Sequence, residues 1–226
     1  MGNEWSVRVT ELKLTVMRHM QNAIYSLILA FAGALFSANA CADTVRTSSA
    51  ALTPQTEGMA KDNVTREGRK LWRKVIQWPN DCEEGFDYPD PKMGGVVFYA
   101  LGKQRFLVEV VCTLGAYQGY QRYYLLNESR NLPVVAPLAF TIFEVKGERG
   151  DRLARTQSEE LWGTPEFDPK TRLLTVLNRF RGTGDCGTFS IYTLEQGRPQ
   201  LKEIRTKIEC DGSGADNPKL WPKLRL

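Results

Sequence analysis

From residue 95 onward the hydrophobic residues come in short runs bounded by Gly, Pro, Asn and Asp, the layout of strands joined by turns. Residues 95–101 ("GVVFYAL") and 104–112 ("QRFLVEVVC") are rich in β-branched and aromatic side chains, and "GKQ" between them predicts a hairpin. A third strand is expected at residues 120–127 and a fourth at 138–145, after a connection bounded by Pro133 and Pro137. Residues 147–170 read as a long polar connection, ending in a type I turn at "FDPKT" with Pro169 preset for the bend. Residues 172–180, 188–194 and 200–210 then predict a three-stranded meander. In its last strand Ile204, Ile208 and Cys210 share one face, while Glu203, Arg205, Lys207 and Glu209 share the other. That alternation describes a sheet with one wet face.

Ahead of the strands, the basic run "REGRKLWRK" (66–74) begins a short helix over 66–76, its charges on a solvated face and Leu71, Trp72 and Val75 turned inward. Residues 78–95, punctuated by Pro, Gly and Asp, read as loop. Residues 43–65 are rich in Thr, Ser and Ala without apolar periodicity and read as a flexible leader. The fold class expected is mainly β: antiparallel meanders in a sandwich-like or two-sheet arrangement, one short N-terminal helix, and a single domain over 66–226. A strand, a Cys- and Gly-bearing loop and a second strand recur in both halves, an order compatible with duplication and equally with any antiparallel meander.

The N-terminus changes every later count. Arg18 after Met17, an apolar run over 23–36 and the small residues "SANACA" (37–42) form the layout of a secretory signal over 17–42. The apolar run has 14 residues, short of the roughly 20 of a membrane span. The first 16 residues precede this signal, which makes Met17 a candidate start. Cleavage is expected after Ala42 or Ala40, with a lipid-anchored Cys41 as the alternative. The expected location is periplasmic or secreted, with no transmembrane segment once the signal is removed.

The chain carries 30 Lys+Arg against 26 Asp+Glu, and removing 42 residues leaves a mildly basic +3 with both signs dispersed. No Lys/Arg block of nucleic-acid type is present. The one histidine, His19, lies in the signal. The mature chain therefore lacks the base of Ser-His-Asp and Cys-His catalysis and any His ligand for zinc. We expect no enzyme, no metal and no cofactor. Apart from Cys41 the cysteines are Cys82, Cys112, Cys186 and Cys210. Four in an exported chain argue for two disulfides, and of three pairings Cys82–Cys112 and Cys186–Cys210 are favoured because each brackets neighbouring strands.

The stretch "RFRGTGDCGTF" (179–189) poses the sharpest choice. As a phosphate loop it lacks the lysine and downstream Ser/Thr, and a strand follows it rather than a helix. As a calcium loop it, like "DGSGADN" (211–217), has too few alternating oxygen ligands. A turn stapled by Cys186, with glycines supplying backbone freedom, is the expectation.

Cys112 followed by Gly115-Ala116-Tyr117, then Phe167-Asp168, the loop Gly184-Asp185-Cys186-Gly187, and Cys210-Asp211-Gly212 with Trp221 nearby form an ordered set over residues 78–226. In this set the chain resembles the exported bacterial family catalogued as domain of unknown function 1176. The resemblance implies an exported β-rich protein and brings neither an activity nor catalytic residues. The function expected is a binding or envelope-interaction module recognising an envelope protein or glycan. Its candidate binding residues are exposed loop aromatics Tyr117 and Tyr120, with Arg181 and Asp185. Two alternatives are an inhibitor of a lytic enzyme, disfavoured by a +3 charge against basic lysozymes, and a hydrolase pairing Asp168 with Glu166 or Asp185.

Overall fold

The computed structural model describes residues 56, 58–90, 92–129, 132–146, 152–195, 197–212 and 217–226. The expected signal, start, Cys41 and most of the leader lie outside them. Helix α1 (Arg66–Ile76) is capped at both ends: the Thr65 hydroxyl accepts from the Gly68 N–H, and Gln77, in the left-handed region, donates its N–H to Arg73. Its inward face differs from the one expected. Arg69, Trp72, Val75 and Ile76 are buried, while Leu71 is 51% exposed. The spacing 69, 72, 76 is one helical face, and a cation occupies its first position.

Strands β1 (Val96–Gly102), β2 (Arg105–Leu114) and β3 (Gly119–Asn127) form the expected meander, with Gln104 at φ 57° in the first turn. The free edge of β3 is shared. Its C-terminal part pairs with the short β4 (Val134–Pro137), and its N-terminal part pairs with β7 (Glu160–Asp168). Strands β8 (Leu173–Arg179), β9 (Gly187–Glu195) and β10 (Arg198–Lys207) continue to give the order β1-β2-β3-β7-β8-β9-β10. β5 (Phe140–Lys146) and β6 (Arg152–Ser158) form a separate two-stranded sheet. The protein is thus mainly antiparallel β in two sheets.

Both faces of the central strands are buried, which is why β2 reads as a nearly continuous apolar run. Val108, Val110 and Cys112 face α1 and pack with Trp72, Val75 and Trp78. Leu107 faces the opposite side with Tyr123, Phe167, Leu174 and Tyr192, where Phe140 of β5 sits 5.5 Å from Tyr123 and 5.2 Å from Tyr192.

Four elements depart from the sequence expectation. A second helix, α2 (Asn80–Glu84), forms within the segment read as loop, with its Cys82 fully buried. β4 lies in the proline-bounded connection. β6 and β7 occupy the segment read as a polar connection. β6 escaped notice because it pairs only with β5 and buries neither face, so it carries no apolar alternation. The leader is anchored at its end: Val64 is buried, the Trp72 indole N–H donates to Ala60 O at 2.9 Å, and Lys61 pairs with Glu128 at 3.1 Å.

Candidate functional site

The site grows out of a change of partner within β7. Its residues 160–163 pair with β3, and residues 164–168 pair with β8. Gly163, at φ +133°, makes the transfer; a Cβ there would lie 2.5 Å from the Leu177 carbonyl oxygen. The pairing with β3 ends at Gly163, so Pro165 withholds no N–H that β3 would need. Beyond the transfer, the end of β8 is held by a side chain. The Gln118 amide accepts from Arg179 N–H at 2.8 Å, and donates to Arg179 O at 3.1 Å and Asn178 Oδ1 at 2.9 Å. Gln118 thus pairs with the backbone of Arg179 as a neighbouring strand would. The Arg179 guanidinium in turn donates to Tyr117 O at 3.0 Å, and the Tyr117 ring lies over Gly182. The "GAYQ" and "RGTGDCG" loops form one rigid end of the sheet.

In "GTGDCG" the staple is present: Cys186 and Cys210 are bonded with Cα atoms 5.0 Å apart. The first staple, Cys82–Cys112, has Cα atoms 4.2 Å apart. Gly184 takes φ +74°, and a Cβ on Gly187 would meet Asn178 O at 2.2 Å. Asp185 is fully buried and fully engaged. Its carboxylate accepts from Arg181 Nε at 2.7 Å and also from Arg181 Nη2, from Thr183 Oγ1 at 2.6 Å and from Gly212 N at 2.8 Å. The Arg181 guanidinium, then the Thr183 hydroxyl, hold its pKa far below the usual carboxylate range. Asp185 therefore ties the turn to the chain after Cys210.

The other sequence candidates separate. Tyr117 is exposed at 43%. Tyr120 is buried, its ring 4.9 Å from that of Trp162. Sequence reasoning passed over Trp162, 44% exposed, because its strand was read as connection. Asp168 caps its own turn, accepting from Lys170 N at 2.9 Å and Thr171 Oγ1 at 2.7 Å, and these bonds, the Thr171 hydroxyl foremost, lower its pKa.

Beside the loop cluster a pocket of about 270 Å³ opens between β5 and the main sheet. Ile142, Val145, Leu161, Val176 and Phe180 supply its apolar walls, and Asn178, Thr188 and Ser190 its polar floor. The floor follows from register: Asn178 lies directly opposite Thr188, and Val176 opposite Ser190, all on one face. Elsewhere on that face Glu109 is buried, accepting from Tyr99 OH at 3.1 Å and Tyr123 OH at 3.0 Å. Burial raises its pKa, and the two tyrosine hydrogen bonds oppose that rise. Among the described residues no group of three or more His, Cys, Asp or Glu could hold a metal ion, and no helix is long and apolar enough to cross a membrane.

A disulfide-stapled antiparallel β domain with a small preformed pocket under its second sheet is the class these features define. The chain belongs to the family described as "Protein of unknown function (DUF1176)", whose model matches residues 37–224. No curated protein and no solved structure matches it.

Proposed function

We propose that this protein is exported and serves as a non-enzymatic binding module of the cell envelope, with the pocket between β5 and β7–β9 as its recognition site. The observation that carries the reading is the pocket itself: apolar walls, a few convergent polar groups and a scaffold fixed beforehand. The loop that joins its floor strands β8 and β9 is locked by Gln118, Asp185 and a disulfide. A preformed site loses little conformational entropy when it is filled. The secretory layout of residues 17–42 and the cysteine pairs support export.

The test is thermal unfolding of the purified protein with fractionated soluble envelope extract. At least one fraction should raise Tm, and Val176→Phe, which fills the pocket, should abolish the rise. A rise that survives Val176→Phe would move recognition elsewhere, and no rise with any fraction would sink the reading. For export, N-terminal sequencing should find Cys41 or Asp43 first; cytoplasmic protein starting at Met17 would contradict it.

A further inference from the structure

We infer that the pocket takes a neutral, hydroxyl-bearing ring, a single sugar residue, with its hydroxyls on Asn178, Thr188 and Ser190 and its C–H face against β5. This rests on the binding reading above and names the ligand class. Three observations carry it.

The first is the hydroxyl of Thr188. The residue is 95% buried, lines the pocket, and its hydroxyl has no hydrogen-bond partner among the described residues. The Thr188 oxygen is not sealed off from solvent, so a ligand hydroxyl can take the place of water on it. The second is the donor and acceptor pattern beside it. Asn178 Oδ1 already accepts from Gln118, which leaves the Asn178 amide N–H groups as donors. The Tyr192 hydroxyl donates to Thr141 O at 2.9 Å, and Ser190, on the same strand face of the pocket, presents a hydroxyl that can both give and accept. The floor therefore offers donors and acceptors side by side, with Thr188 and Ser190 two residues apart, about 7 Å along the strand. Hydroxyls on a ring, which both give and accept, match that set; a purely aromatic ring does not.

The third observation is charge. Of the lining groups only Glu144 and Tyr192 can ionise. Glu144 is paired with Lys146 at 2.7 Å. Burial pushes the Tyr192 pKa up to about 12, so it stays neutral. A charged ligand would lose hydration and find no free counter-charge. The apolar walls suit the C–H face of a ring. The volume, about 270 Å³, is the room of about nine liquid waters at about 30 Å³ each, enough for one substituted six-membered ring.

The experiment is titration of the full mature protein, followed by heteronuclear NMR, with glucose, N-acetylglucosamine, phenol and acetate. At least one sugar should shift the amides of Asn178, Thr188 and Ser190 saturably, and acetate should not. Thr188→Val, nearly isosteric, should weaken that binding about tenfold while leaving the rest of the spectrum in place; Ser190→Ala provides a second, independent reduction. Stronger binding by phenol with no effect of Thr188→Val overturns the ligand class. Failure of both sugars, while Val176→Phe still abolishes the Tm rise given by envelope extract, overturns the ligand class and leaves the binding reading intact. Failure of both together overturns the two readings at once.

Discussion

The two halves of the main sheet are built from the same parts and use them differently. Each has one disulfide and one buried carboxylate. In the first half Cys82 and Cys112 are both fully buried, and their bond fastens α2 to β2 beneath a helical layer. Beside it lies Arg69, 1% exposed. It donates to Gly94 O, Val111 O and Cys82 O and to Glu83, with its guanidinium 3.8 Å from the Phe86 ring centroid. In the second half Cys210 is exposed, and the bond fastens a turn to the chain leading toward the C-terminus. The buried carboxylates differ in the same sense. Asp185 is met by a cation and a backbone N–H, whereas Glu109 is met only by two neutral hydroxyls. The first half is thus a core that contains polar groups, and the second is a rim organised by them.

The hardest blow to this contrast falls on Arg69. Arg69→Met keeps the packing of the side-chain stem but takes this donor from three carbonyl oxygens and leaves Glu83 with only the Trp78 indole N–H. Unfolding in urea should show a loss of about 3–5 kcal/mol, the range for breaking one side of a buried ionic network. A loss below about 1 kcal/mol would show that water reaches these carbonyls and that the first half is no drier than the second.

The staples come next. Their sequence separations, 30 and 24, are so close that loop entropy alone gives each about 3.5 kcal/mol. Burial breaks the tie. Cys112→Ala should cost about 3–4 kcal/mol, because it also disturbs the core, and Cys186→Ala about 2–3 kcal/mol. Within each pair the double mutant should cost little more than either single. Equal losses for the two staples would mean that loop entropy governs both and that the core-and-rim distinction does not extend to them.

How much of this contrast could be read from the chain depends on what each residue faces. The two meanders were legible because β2, β3, β8 and β9 are apolar runs rich in β-branched and aromatic residues and bounded by turn residues, and the pairing followed from cysteines that bracket adjacent strands. β7 was illegible because its partner change puts Gly163 and Pro165 inside a strand, and both read as breakers. Leu71 and Arg69 were exchanged because hydrophobicity ranks leucine inside, while only tertiary contacts supply the four acceptors that permit a buried arginine. The role of Asp185 was half legible: the stapled turn could be anticipated, but not the bond from Gly212 N–H that completes it. The pocket was not legible at all, since it needs β5 placed across β8 and β9, a long-range contact that no local pattern encodes.

The smallest effect, and the finest test of the comparison, is the pH dependence of the two carboxylates. Asp185 has its folded pKa depressed by Arg181 and Thr183. Its contribution is therefore present above the ordinary carboxylate value of about 3.9 and is lost as pH falls below it. Glu109 has its folded pKa raised by burial. Its contribution is full below the ordinary value of about 4.3 and is lost as pH rises through the folded value. The two act from opposite sides, so stability governed by them peaks in mildly acid solution. Asp185→Asn should lower stability at pH 7 and flatten the acid limb. Glu109→Gln, which keeps an acceptor for both tyrosines, should leave the acid limb unchanged and raise stability at pH 7. Urea unfolding of both variants and the wild type from pH 3 to pH 8 checks the signs. If Glu109→Gln is destabilising at pH 7, the Tyr99 and Tyr123 hydrogen bonds outweigh the burial of the charge. The carboxylate of the first half would then be as well accommodated as that of the second.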